Sequence, residues 1–76
     1  MVNKEMLDEI SAEIHNARQK YRRISSLHEA HSIILEEFEE FWSAVKNKEE
    51  LERIRKELIQ VIVASIMTLE DVFKAD

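Results

Sequence analysis

Seventy-six residues carry 16 acidic and 11 basic side chains, a formal net charge of −5 at pH 7, and no Gly, Pro or Cys. A chain of this length buries only about 60% of its unfolded surface, so a core built alone is marginal and association with further copies is expected. The missing residue types remove hairpin turns, disulfides, thiolate metal sites and Gly-rich phosphate loops, and the negative balance argues against nucleic-acid polymers and anionic membranes as partners.

With 45% apolar and 36% charged residues, amphipathic helices forming one all-α domain over residues 1–76 are expected. Met1 to Ile10 carries Lys4, Glu5, Asp8 and Glu9 without an apolar run, which is unlike a signal peptide and points to a cytoplasmic protein. Met6, Ile10, Ile14, Ala17 and Tyr21 recur at helical spacing and predict a first helix ending near Arg22. Ser26-Leu27-His28-Glu29 has the form of a capping box, in which the Ser hydroxyl and the Glu carboxylate satisfy free backbone N–H groups, so a second helix should begin there.

The apolar row of that helix is Ile34, Phe38, Phe41 and Val45, with Leu35 and Trp42 beside it. It should stop near Asn47, which tolerates the left-handed conformation, with Lys46 and Lys48 at its negative dipole end. A third helix is predicted from Glu49 to Phe73, opening on acids and carrying Leu51, Ile54, Leu58, Ile62, Leu69 and Val72 as its stripe. From Leu58 to Met67 only Gln60 and Ser65 are polar. This stretch is too short to span a bilayer, which needs about 20 residues, so a second subunit is the expected cover. The predicted fold is a helical hairpin of two long helices behind a shorter N-terminal one, assembling into an oligomeric helical bundle.

Glu36, Glu37, Glu39 and Glu40 crowd the second helix with no Lys or Arg three or four positions away. Each like-charge pair at that spacing is destabilising by roughly 0.2–0.5 kcal/mol. The third helix pairs its charges (Glu49 with Arg53, Glu52 with Arg55 and Lys56), so counter-charge for the glutamate row must come from a divalent cation or from basic groups elsewhere. On a wheel of about 100° per residue, Glu37 falls on the flank of the apolar stripe and Glu36 points away. In an antiparallel hairpin about Asn47, residues whose numbers sum to about 94 lie level, which sets Glu57 opposite Glu37, with Glu40 and Gln60 one turn away. Three carboxylates and an amide suit a hard cation with oxygen ligands, Mg2+ or Mn2+, and hence phosphate-ester chemistry; the alternative is a solvated acidic face.

Leu35-Glu36-Glu37-Phe38-Glu39-Glu40-Phe41, followed by Lys56-Glu57-Leu58-Ile59-Gln60-Val61, resembles the paired E-E-x-x-E and E-x-x-D motifs of the MazG-like nucleotide pyrophosphohydrolases, over about Tyr21 to Val72. The resemblance implies an all-α homodimer or homotetramer that uses Mg2+ to hydrolyse a nucleoside triphosphate to the monophosphate and pyrophosphate. Water would attack the α-phosphorus. By motif, Glu37 and Glu40 match the first metal-binding pair and Glu57 opens the second. These three would be the catalytic and metal-holding residues, with Gln60 completing the set where the family has Asp; short phage-type relatives with E-x-x-Q look nearest.

Lys20, Arg22 and Arg23, with Arg18, cluster where the first helix ends and are candidates to clamp phosphates, or else they simply complement a helix C-terminus. His28 is a candidate nucleotide contact or a surface residue beside a cap. His28 and His31 are one residue short of the zinc-protease spacing, so a zinc protease is not expected. Helical spacing favours core packing for Phe38, Phe41 and Trp42 over base stacking. The rival reading, which Gln60 sets apart, is a catalytically inactive helical interaction protein with the same fold that oligomerises through Leu58 to Met67.

Overall fold

A computed structural model describes residues 2–73. It contains three α-helices in the order α1 (Lys4–Lys20), α2 (Leu27–Lys46) and α3 (Leu51–Val72), and no strand among the described residues. No described helix is long and apolar enough to cross a membrane.

Each helix boundary has a local cause. Asn3 caps α1 by accepting from the Met6 N–H at 3.1 Å. The helix ends at Lys20 rather than Arg22, because Tyr21 has turned to extended backbone. Ser26 caps α2, its Oγ accepting from the Glu29 N–H at 3.0 Å. The returning half of the box is shifted: the Glu29 carboxylate accepts from Ser25, at 2.7 Å from N and 2.9 Å from Oγ, and from Arg22 at 2.8 Å. At the other end Asn47 keeps φ −83, and Lys48 is the left-handed residue, φ 55. The Lys48 N–H donates to Val45 O and the Glu49 N–H to Ala44 O, each at 3.1 Å, which is the Schellman closure of a helix end. The short turn this creates delays α3 to Leu51, behind Glu50 as its cap position.

α2 and α3 form the expected antiparallel hairpin, and α1 packs on α3. α1 runs parallel to α3: Glu9 meets Arg55, Glu13 meets Gln60 and Arg18 meets Asp71 in ascending order. The core is Ile10 of α1, Ile24 of the connecting loop, Ala30 of α2, and Ile59, Val63 and Met67 of α3. Burial of each large side chain in it contributes about 1.5–3 kcal/mol.

The buried faces differ from those expected. On α3 the row Leu51, Leu58, Leu69 is 83%, 45% and 60% exposed, while Ile59, Val63, Ala64, Met67 and Thr68 are buried. This helix is apolar nearly all round in its middle because α1 and α2 of the same chain cover two of its sides. On α2 the buried residues are Ala30 and Ala44, small enough to let the two axes approach, whereas Phe38 and Trp42 stay 50% and 49% exposed instead of packing into the core. Tyr21 likewise faces solvent.

Candidate functional site

Glu37 and Glu40 lie one helical turn apart on α2 and Glu57 reaches them from α3. One carboxylate oxygen from each lies within 4.8 Å of the other two. Two oxygens ligating one ion at about 2.0–2.6 Å are themselves no more than about 4–5 Å apart, so these three can share a divalent cation. The antiparallel register that sets 37 level with 57 brings them together. Glu36 and Glu39 are exposed and lie outside the cluster.

The electrostatics are those of an under-neutralised site. Burial, then the charge and hydrogen bond of Glu40, then the charges on Glu57 and Glu36 push the Glu37 carboxyl up to about 7. Among the described residues no ion pair reaches Glu36, Glu37, Glu39 or Glu40. The counter-charge that does arrive is Arg53 of α3, one turn before Glu57, whose Nε donates to Glu57 Oε2 at 3.0 Å. Its guanidinium is held above its ordinary value first by that hydrogen bond, then by the charges of Glu49 and Glu57, with a smaller contribution from Glu40. One cation at the edge of three carboxylates leaves net negative charge. That donor set, all hard oxygen, fits Mg2+ or Mn2+.

Gln60 is half-buried and turned toward α1, its Nε2 donating to Glu13 Oε1 at 2.7 Å. Glu13 is a residue that sequence reasoning missed, since no local spacing links α1 to α3. Arg53, which local spacing pairs with Glu49, is spaced just as helically from Glu57 and reaches both.

Beside the cluster a cleft of about 330 Å³ opens between α2, α3 and the end of α1. Its floor is apolar, with Ile33, Val63, Ala64 and Met67. Glu36, Glu37 and Gln60 line one part of the wall, and Tyr21, Arg22 and Glu29 another. The volume is near the lower end for small-ligand sites.

Of the basic residues near the end of α1, Arg18, Arg22 and Arg23 have structural partners. Arg18 holds Asp71 through two hydrogen bonds of 2.8 Å, and Glu70 at 3.0 Å. Arg23 also reaches Asp71, at 3.3 Å, and Arg22 is paired with Glu29. Only Arg22 of the proposed phosphate clamp lines the cleft; Lys20 and His28 are exposed away from its lining. Comparisons of the chain with models of protein families, with curated proteins and with solved structures return no match.

Proposed function

We propose that this chain is a Mg2+-dependent nucleoside triphosphate pyrophosphohydrolase of the MazG-like kind, with Mn2+ as a substitute ion. The observation that carries the reading is the convergence of Glu37, Glu40 and Glu57, drawn from two helices to within 4.8 Å without matching counter-charge. When bound, the ion supplies Lewis-acid polarisation of phosphate oxygens and helps to generate the nucleophile from water. The protein's own part is to hold the ion with these carboxylates and to orient the attacking water with whichever of them is free. The apolar cleft beside Glu37 takes the organic portion of the substrate, with Arg22 at its rim.

The working unit in this proposal is a homodimer or homotetramer in the cytoplasm. By rotation about the helix axes, Leu35, Phe38 and Trp42 of α2 share one open face of the hairpin with Leu58, Ile62 and Leu69 of α3, on the side away from α1 and from Glu37, Glu40 and Glu57. Five of these six are at least 44% exposed, and a second copy is their occupant.

The rival reading, an inactive interaction protein on the same fold, is favoured by Gln60, whose neutral amide stands where an acid is expected and is already bonded to Glu13. Metal titration followed by thermal unfolding separates the two. An ion at 100 times its dissociation constant adds about 2.7 kcal/mol of stability, a rise of many degrees for so small a domain. Mg2+ and Mn2+ should raise the midpoint in wild type and not in Glu37→Gln/Glu40→Gln, and pyrophosphate release from a nucleotide panel should vanish with Glu57→Gln. An unmoved midpoint would remove the metal site. Ion binding with no pyrophosphate from any nucleotide would leave the interaction protein.

A further inference from the structure

An amide beside three carboxylates has a default orientation. Its NH2 end is drawn to the negative oxygens and its carbonyl oxygen turns away, which is the wrong end for a cation. Gln60 stands one turn after Glu57 on α3 and lines the cleft together with Glu37, so it faces this choice. A carboxylate on a third helix settles it: Gln60 Nε2 donates to Glu13 Oε1 at 2.7 Å in a part-buried contact. Nε2 and Oε1 diverge from the same carbon, so fixing the nitrogen on α1 turns the oxygen away from α1. Among the described residues no hydrogen bond reaches Gln60 Oε1.

We propose that Glu13 is a positioning residue of the cation site, holding the Gln60 amide nitrogen so that Oε1 is offered as a neutral fourth oxygen beside Glu37, Glu40 and Glu57. The inference rests on the cation-site reading above. It also gives α1 a part in the site: the helix carries the acceptor that keeps the amide the right way round. Groups that orient a metal ligand in this way typically change affinity by about 10–100-fold when removed.

The test is Mn2+ affinity measured by calorimetry on the whole chain. Glu13→Met keeps a long, helix-compatible side chain without an acceptor and should weaken Mn2+ binding about 10-fold or more. Glu13→Gln, whose carbonyl can still accept from Gln60 Nε2, should retain near wild-type affinity, which a direct role of the Glu13 charge would not allow. Glu13→Met added to Gln60→Met should cause no further loss, because the two residues act as one unit. A readout that needs no variant is the Gln60 side-chain amide in the NMR spectrum, whose Cδ and Nε2 resonances should shift as Mg2+ is added to wild type.

Binding lost in Glu37→Gln but unchanged in Glu13→Met, or a Gln60 amide unmoved by saturating Mg2+, would overturn the inference and leave the cation site standing. Wild type that binds neither ion would overturn both.

Discussion

Lys48 is a costly residue where it stands. Among the described residues it alone has positive φ, and a side chain with a Cβ in that region costs roughly 1–2 kcal/mol. The chain has no glycine to put there, and the Schellman hydrogen bonds of Lys48 and Glu49 hold the turn instead. Lys48→Gly should therefore stabilise the protein by about 0.5–1 kcal/mol, relief of strain less the extra freedom of Gly in the unfolded chain, read as a higher urea midpoint at unchanged slope. Glu37 is the second residue held against its preference. Its folded value of about 7 lies above the ordinary 4.5, so the folded state binds an extra proton between those values. The stability that goes with this is fully present below about 4.5 and is lost as pH rises through about 7. Without divalent ions, wild type should be less stable at pH 8 than at pH 5 by something on the order of 2 kcal/mol from this group, and Glu37→Gln should flatten that dependence. Equal slopes for the two proteins in paired denaturation series would contradict it.

Between elements, Asp71 is where three segments meet. Its side chain has no exposure, and it accepts from Arg18 of α1 and from the Ile24 N–H of the loop at 2.8 Å. The Arg18 hydrogen bonds, ahead of that from Ile24, hold its carboxyl below the ordinary 3.8. Asp71→Ala should cost roughly 3 kcal/mol by stranding Arg18 and the loop N–H, a large share of what so small a domain has. In wild type the contribution is complete above the ordinary carboxylate value and disappears as pH falls through the lower folded one, so acid unfolding should begin earlier once Arg18→Ala has released the group. A mid-point insensitive to both substitutions would show that α1 needs no such anchor. How far this was legible in the sequence differs by element. Helical periodicity, the Ser26 cap and the hairpin register needed only neighbours in sequence, and that register alone set Glu57 against Glu37. The burial stripes needed tertiary knowledge: α3 carries apolar residues on two faces, and periodicity does not say which one α1 and α2 take. Asp71 left one trace, an acid in the last turn of a helix, where the dipole disfavours it. Glu13 left none.

At the scale of the molecule, a helix pair with a third helix on one side is an unfinished bundle. Its extents are 43 × 29 × 25 Å and its radius of gyration is 13.1 Å, above the roughly 11–12 Å of a compact chain of this length. Glu37, Glu40, Glu57 and the cleft occupy the side that α1 helps to close, and Leu35, Phe38, Trp42, Leu58 and Leu69 remain on the other, 44–60% exposed. If a second copy covers that face, folding and association are one equilibrium, and the thermal midpoint should rise with protein concentration. Ile62→Asp is an ambiguous probe, because Ile62 also packs against the chain's own core. Phe38 is the cleaner one: half exposed in the single chain, its replacement by Lys sets a charge in water for a monomer but inside an apolar contact for a dimer. Phe38→Lys should elute at monomer mass, lose the concentration dependence of its midpoint and still show helical circular dichroism at low temperature, whereas a wild type that already elutes as a monomer at every concentration would leave this face without its second copy.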